Sequence, residues 1–178
     1  MTDADLFEAF VREYQDMVFA TAVRLLGNPV DAEDVSQTVF LKAYERFAQV
    51  GTSPNVAGWL KTVATNICLN HLSRYRSRWR LFSEMRREDD DGGETAFEST
   101  VAAEQAPPGA EMDARERQAH IERAVRALPD HQRVPLVLFH FEQQSYQAIA
   151  DLLGISLAKV KTDIHRGREA LRGTLGTL

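Results

Sequence analysis

The sequence predicts an all-α protein built from two small helical domains that are joined by a flexible acidic linker. Three observations support this fold class. Apolar residues recur every three or four positions through most of the chain. This pattern breaks down over residues 84–113, where acidic residues, glycine and proline dominate. Residues 145–171 combine a short helical pattern, a glycine and a second helical pattern. We therefore expect domains at 1–83 and 114–178.

Composition indicates an intracellular protein. The chain has 178 residues, a net charge of −5 and a single cysteine, Cys68, so it forms no internal disulfide and suits a reducing compartment. No stretch approaches the eighteen uninterrupted apolar residues of a membrane span, and the first ten residues are acidic where a signal peptide is basic. We expect a cytoplasmic protein without membrane insertion.

The charges are segregated along the chain. The net charge is −5 over residues 1–60, +6 over 61–87, −9 over 88–113 and +3 over 114–178. Two basic segments are thus separated by an acidic one. This pattern allows local binding of nucleic acid, while the acidic segments face a basic surface or channel.

The N-terminal domain begins with a predicted amphipathic helix over residues 3–26, which Gly27 and Pro29 end. Its apolar positions are Leu6, Phe10, Tyr14 and Met17. A second helix starts at Asp31, and its buried stripe is Val35, Val39, Ala43 and Phe47. On its other faces lie Asp34, Gln37, Leu41 and Lys42. The acidic first turn suits the helix dipole, but the exposed Leu41 indicates a protein partner.

Residues 48–55 have the composition of a loop, and a long helix follows. Leu60, Val63 and Ile67 are predicted to face inward, while Asn66, Asn70 and Arg74 share a neighbouring face. Four arginines then occur within seven residues, interleaved with Tyr75 and Trp79; they are Arg74, Arg76, Arg78 and Arg80. Basic residues at the end of a helix are also common for dipole reasons. Arginine beside aromatic residues additionally suits phosphates and unstacked bases.

The C-terminal domain begins with a helical stripe that Pro129 ends, and Asp130 is predicted to cap the next helix. The stripe consists of Ile121, Ala124, Val125 and Leu128. Residues 134–141 are apolar enough for a strand. Pro135 and the lack of any partner strand favour a buried helix instead.

Residues 145–171 predict a helix-turn-helix. Gly154 suits the left-handed conformation that ends the first helix, and Ser156 suits the N-cap of the second. Val160, Ile164 and Leu171 form the inward stripe of the second helix. The outward side chains are donors for phosphates and base edges, namely Lys159, Lys161, Thr162, His165 and Arg166.

The sequence contains no recognisable catalytic or cofactor motif. Phosphate-binding loops, dinucleotide fingerprints and nucleophile elbows are missing. Cys68 and His71 have C-x-x-H spacing, but a zinc site needs another pair of ligands. The consecutive acids Asp89, Asp90 and Asp91 lie on a flexible run that holds no pre-formed metal site. We expect a protein that is not an enzyme and that needs no cofactor or metal.

Four segments in order resemble the two conserved regions of an extracytoplasmic-function sigma factor, a member of the sigma-70 family. They are DAEDVSQTVFLKAY, GWLKTVATNICLNHLSR, ALPDHQR and SYQAIADLLGISLAKVKTDIHRGREAL. The resemblance covers residues 5–80 and 115–174. It implies a transcription initiation subunit that brings core RNA polymerase to particular promoters.

The resemblance also implies roles for individual residues. The helix over residues 31–44 would dock on the clamp helices of the largest polymerase subunit through Asp34, Gln37, Phe40 and Leu41. Residues that would face the minus-ten element are Asn66, Asn70, Arg74 and Arg76. Residues that would face the minus-thirty-five element are Lys159, Lys161, Thr162, His165 and Arg166. The linker would run through the polymerase, and an anti-sigma factor is an expected partner. Asp163 lies in the recognition helix at a position that is often basic in the family. An acid there would face a phosphate and repel it, or accept from the amine of a cytosine, so the resemblance does not define the promoter sequence.

Two other functions remain compatible with parts of the sequence. A free-standing regulator would use the helix-turn-helix as a dimer and bind duplex DNA unaided, yet the arginines and aromatic residues after Asn70 suit melted DNA better. An enzyme acting on nucleic acid would need a metal or nucleophile cluster, which the sequence does not display.

Overall fold

The computed structural model describes residues 2–87 and 114–176, with side chains described for 2–73 and 114–176. Every regular element in these residues is a helix, which confirms the predicted all-α class. The helices are α1 (Asp3–Leu26), α2 (Pro29–Glu45), α3 (Phe47–Val50), α4 (Val56–Arg87), α5 (Ala114–Ala127), α6 (Asp130–His140), α7 (Tyr146–Leu153) and α8 (Leu157–Leu175). Within the described residues, none of them is long and apolar enough to cross a membrane.

The ends of α1 and α2 follow from local chemistry. The Thr2 side chain accepts from the Asp5 amide in a capping box, and Gly27 ends α1 with a φ of 70°. The Asn28 side chain accepts from the amide of Val30 at 2.9 Å, so Pro29 is the first residue of α2. The prediction that α2 starts at Asp31 is wrong by two residues, because proline suits the first helical position.

The N-terminal unit has a core in which α1, α2 and α4 pack against one another. The predicted stripe of α2 is confirmed for Val35, Val39 and Ala43, while Phe47 is only partly buried. Leu6, one of the apolar positions of the predicted amphipathic helix, is exposed, because most of the buried residues of α1 lie in its C-terminal half. The predicted loop at 48–55 begins helically, since α3 extends to Val50.

The C-terminal unit packs α5, α6 and α7 around α8. The apolar run at 134–138 is buried in α6 with Pro135 inside the helix, which confirms the helix prediction. Asp130 does not cap this helix: Pro129 is the N-cap residue and makes no side-chain cap. Instead, the Asp130 carboxylate binds the Arg133 guanidinium one turn later.

The two helical units are in contact, which no pattern in the sequence indicates. Helix α1 packs against α5 and α6, and its last residues, Arg24, Leu25 and Leu26, bond to side chains of these helices. Arg24 of α1 forms an ion pair with Glu122 of α5, with 2.6 Å between Nη2 and Oε1. These residues lie 98 positions apart, so no local pattern signals the contact.

Candidate protein and nucleic-acid interfaces

An apolar groove of about 730 Å³ opens between α1 and α2. Its apolar lining consists of Phe7, Val11, Phe19, Phe40, Leu41 and Tyr44. Leu41 is 65% exposed, and Phe40 packs partly against the core, with its ring 6.4 Å from that of Phe10. An exposed apolar surface of this kind is typical of a protein-binding site.

Three of the four residues predicted to bind polymerase line this groove, namely Gln37, Phe40 and Leu41. The fourth, Asp34, is exposed on the same helix. Asp16 and Glu33 also line the groove. The surface therefore combines an apolar floor with acidic groups, which fits a helical partner that carries apolar and basic side chains. Sequence reasoning found the α2 side of the groove but missed the contribution of α1.

The second candidate interface is the outer face of α8. Gly154 ends α7 with a φ of 64°, and the Ser156 side chain caps α8 by accepting from the Lys159 amide at 3.2 Å. Val160 and Ile164 are fully buried beneath. All five residues predicted to face the minus-thirty-five element are exposed: Lys159, Lys161, Thr162, His165 and Arg166.

Asp163 does not belong to the outer face of α8. It is 2% exposed, and its carboxylate pairs with Lys159 at 2.9 Å between Nζ and Oδ2. The expectation that this acid would face a phosphate or a base is therefore wrong, because the helical period turns it toward the core together with Val160. Lys159 is therefore exposed to solvent and also forms an ion pair with the buried Asp163.

The third candidate interface is the outer face of α4. Asn66 and Asn70 are both exposed there, as their predicted role requires. The side chains of Arg74 and Arg76, also predicted to face the minus-ten element, lie outside the described residues. No sequence pattern assigned Lys61 to this face, but Lys61 lines the same cavity as Asn66.

A cavity of about 460 Å³ separates this face of α4 from the C-terminal unit. Its polar lining includes Lys61, Thr65 and Asn66 from α4 and Glu142 and Gln144 from the segment before α7. The Glu142 carboxylate lies 3.8 Å from Lys61 Nζ. One predicted nucleic-acid face is thus open to solvent, and the other is partly covered by the chain itself.

The described residues hold no cluster of three or more His, Cys, Asp or Glu side chains arranged to bind a metal. Cys68 is fully buried, and burial, followed by the negative charge of Glu142, raises the pKa of its thiol to about 12. His71 Nε2 lies 3.5 Å from an Asp31 carboxylate oxygen. His71 therefore joins α4 to α2, and Cys68 belongs to the buried core.

Two family models match the chain, one in each helical unit. The model of sigma-70 region 2 matches residues 10–79, and the model of sigma-70 region 4 matches residues 118–171. The fold also resembles that of one chain in the co-crystal structure of the sigma factor RpoE with the anti-sigma factor NepR from Bartonella quintana. The two chains share 24% identity over 96% of each, with a TM-score of 0.50, so this likeness concerns the fold.

Similar sequences extend over almost the whole chain. The ECF RNA polymerase sigma factor SigW of Bacillus subtilis is 32% identical over 99% of this chain and 92% of its own length. The ECF RNA polymerase sigma factor SigE of Mycolicibacterium smegmatis is 34% identical over 95% of this chain and 61% of its own length. RNA polymerase sigma-H factor of Pseudomonas aeruginosa is 30% identical over 99% of this chain and 89% of its own. Together with the two region matches, these similarities show that the chain belongs to the extracytoplasmic-function sigma factors of the sigma-70 family.

Proposed function

We propose that the chain binds core RNA polymerase and directs it to specific promoters, where transcription then starts. The observation that carries this proposal is the pair of exposed surfaces: an apolar groove on the N-terminal unit and a donor-rich helix face on the C-terminal unit. One surface suits a protein and the other suits DNA. The chain contributes recognition, and the proposal includes no chemical step by its own side chains.

Polymerase binding is assigned to the groove between α1 and α2. Asp34, Gln37, Phe40 and Leu41 are the proposed contacts with the clamp helices of the largest subunit. Covering Leu41 removes apolar surface from water, and full burial of such a side chain contributes about 1.5–3 kcal/mol. The nearby carboxylates attract a basic partner and suppress wrong ones.

Recognition of the minus-thirty-five element is assigned to α8. In a helix-turn-helix, the N-terminal part of the second helix enters the major groove. Lys161, Thr162, His165 and Arg166 lie in that part, and each offers a donor to phosphates or base edges. Lys159 lies beside them, where its bond to Asp163 limits its freedom to reach DNA.

Recognition of the minus-ten element is assigned to α4. Asn66 and Asn70 offer amide groups to unpaired bases, and Arg74 and Arg76 extend the same helix with positive charge. Melted DNA exposes base edges and faces that a duplex hides, so this surface acts after strand separation.

In this function, residues 1–83 form region 2, residues 84–113 form an acidic linker and residues 114–178 form region 4. Helix α4 continues to Arg87, slightly beyond the proposed boundary. A protein that acts on RNA polymerase acts in the cytoplasm. An anti-sigma factor is included as a partner because the solved relative RpoE is bound to the anti-sigma factor NepR.

Run-off transcription with purified core polymerase on fragmented genomic DNA tests the proposal. We expect discrete transcripts that depend on the chain, whose upstream sequences share two motifs. A gel-shift assay without polymerase is the matched control. Tight, specific duplex binding by the chain alone, without transcripts from the complete reaction, would favour a free-standing regulator instead.

A further inference from the structure

Asp163 is a buried acid inside the helix to which DNA recognition is assigned. The residue is 2% exposed and shares the buried face of α8 with Val160 and Ile164. Both oxygens of its carboxylate accept from Lys159 Nζ, at 3.2 Å for Oδ1 and 2.9 Å for Oδ2. Lys159 lies one turn earlier, and its side chain is 51% exposed. The pair therefore joins the interior of the C-terminal unit to its outer surface.

The ion pair is held in place by the cost of breaking it. Among the described residues, Lys159 is the only side chain that binds the Asp163 carboxylate. A buried carboxylate without a partner is strongly destabilising, because its removal from water penalises the charge. If Lys159 moved away to a DNA phosphate, Asp163 would be left in that state. Any contact of Lys159 with DNA must therefore be made while the ion pair stays intact.

The position of Lys159 in α8 also favours the pair. Ser156 is the N-cap, so Lys159 is the third residue of the helix, and the first turn of α8 contains no acid. The positive end of the helix dipole repels a cation there and favours an anion. Asp163 supplies this negative charge from the following turn, at the i, i+4 spacing that brings two side chains of a helix together. Its carboxylate thus compensates both the ammonium and the end of the helix.

The pair differs from the other cations of the same surface. Lys161 and Arg166 are exposed, and neither forms an ion pair with another described residue. A free cation that meets a phosphate releases a counterion, which increases the affinity for any DNA sequence. The Lys159–Asp163 pair has no net charge and therefore adds little to this general attraction.

The pair retains one hydrogen-bond donor for DNA. An ammonium has three N–H donors, and the two carboxylate oxygens of Asp163 occupy two of them. The third is held in a fixed direction on the N-terminal part of α8, which is the part of a recognition helix that contacts base edges. A donor that is fixed in advance loses less conformational freedom on binding. Suitable acceptors are N7 and O6 of guanine in the major groove.

We propose that Asp163 is a positioning residue that determines promoter specificity: it neutralises Lys159 and fixes the remaining donor of that lysine for a base edge of the minus-thirty-five element. The inference rests on the proposed function, because it concerns the same face of α8. The buried acid thereby changes a general phosphate contact into a contact that depends on DNA sequence.

Asp163→Asn is the central variant. Asparagine keeps the shape of the side chain and one acceptor but removes the charge, so Lys159 is no longer neutralised. Lys159→Gln/Asp163→Asn removes both charges and keeps a donor opposite an acceptor. Glu169→Gln is the matched control, because it also removes a carboxylate from an ion pair of α8, that with Arg172, but near the other end of the helix. Circular dichroism and urea denaturation check that every variant is folded.

Amine acetylation of the full chain, quantified for each lysine by mass spectrometry, tests the ion pair without DNA or polymerase. We expect Lys159 to react several-fold more slowly than Lys161 in the wild type, because its ammonium is bound to a carboxylate. In Asp163→Asn the two lysines should react at similar rates, and Glu169→Gln should leave both rates unchanged. Equal rates for the two lysines in the wild type would overturn the inference, whether or not Asp163→Asn folds.

The dependence of DNA affinity on salt tests the neutralisation. Fluorescence anisotropy measures the affinity of the full chain for duplex DNA of random sequence between about 50 and 200 mM salt. A freed Lys159 that contacts one phosphate should steepen the slope of log K against log salt by roughly 0.9 in Asp163→Asn. The double variant should return to the wild-type slope. An unchanged slope in Asp163→Asn, or an equal change in Glu169→Gln, would show that Asp163 does not neutralise Lys159 toward DNA.

Holoenzyme made with core polymerase tests the specificity. Each base pair of the minus-thirty-five motif found by run-off transcription is substituted in turn, and binding by wild-type and Asp163→Asn holoenzymes is compared. We expect Asp163→Asn to lose roughly tenfold of the discrimination at one base pair and to keep it at the others. Full discrimination at every position would contradict the assignment. If no protein supported core-dependent transcription while Lys159 stayed protected from acetylation, the proposed function would be wrong and the ion pair would remain supported.

Discussion

The two helical units have similar interiors and different surfaces. Each buries aliphatic side chains between packed helices, Leu25 and Leu60 in the N-terminal unit and Leu138 and Ile149 in the C-terminal unit, and all four belong to one continuous buried cluster. At the surface, the N-terminal unit exposes an apolar groove near acidic groups, whereas α8 exposes lysine, histidine and arginine. The core of each unit explains why it folds, and only the surface indicates what it binds. Variants that affect one surface and spare the other test this comparison.

Leu41→Asp should have the largest effect. It introduces a charge into the groove, and we expect polymerase affinity to fall at least tenfold, because central apolar contacts often contribute 2 kcal/mol or more to binding. Co-purification with core polymerase and a titration of the labelled chain measure the loss. Val30→Asp is the control, since Val30 is 67% exposed on the same helix but does not line the groove. If both variants bound polymerase with equal affinity, the groove would not be the polymerase-binding site.

Arg166→Ala should have the opposite profile. Each good contact with a base edge contributes about 1–3 kcal/mol of discrimination, so output from a cognate promoter should fall roughly tenfold while polymerase affinity stays unchanged. Lys161→Ala should act in the same direction and more weakly if it contacts phosphate. Arg172→Ala removes an exposed arginine near the end of α8 and is the control. If transcription from the cognate promoter were unchanged in both Arg166→Ala and Lys161→Ala, α8 would not be the helix that recognises the promoter.

Lys159→Ala separates the stability of the C-terminal unit from its recognition of DNA. The substitution leaves the buried Asp163 carboxylate without its lysine, and we expect the free energy of unfolding to fall by roughly 1–3 kcal/mol. Lys161→Ala, two residues away on the exposed face, should leave it unchanged. Urea denaturation measures both. A stability loss shared by the two variants would contradict the structural role of Lys159.

The smallest effect concerns the inner face of α4. Since burial raises the pKa of the Cys68 thiol to about 12, the folded protein keeps this proton at a pH where the unfolded chain, with a pKa near 9.0, loses it. The unfolded state then binds fewer protons, so stability falls as pH rises from about 9 toward 12. At pH 10 the loss is on the order of 1 kcal/mol.

Cys68→Ala is the control for this pH dependence. It should lower stability through lost packing while removing the cysteine's part of the slope above pH 9. Denaturation curves from pH 8 to 10.5 measure both slopes. The native thiol should also resist iodoacetamide at pH 8 until the protein is unfolded. Rapid labelling of the folded protein would show that α4 does not bury it.

Local chemistry made much of the fold predictable. The helix-turn-helix depends on Gly154, which adopts the left-handed conformation, and on Ser156, which caps the next helix, and both effects lie within a few residues. The start of α2 was predicted less well, since Pro29 looked like a helix breaker and is in fact the first residue of the helix. Asp163 was assigned to the wrong face of α8. The prediction relied on its charge, although its spacing of three residues from Val160 places it on the buried face.

Local sequence patterns were enough to predict the helical class, two helical units and the types of side chain that each surface displays. These properties follow from periodicity, capping and charge, which act between near neighbours in the chain. Three features appear only in the folded chain: α1 contributes part of the groove lining, Arg133 donates to the last two carbonyls of α1, and the Glu142 carboxylate lies beside Lys61 Nζ. Such contacts join residues far apart in the chain, and their energies depend on burial and geometry that no local pattern contains.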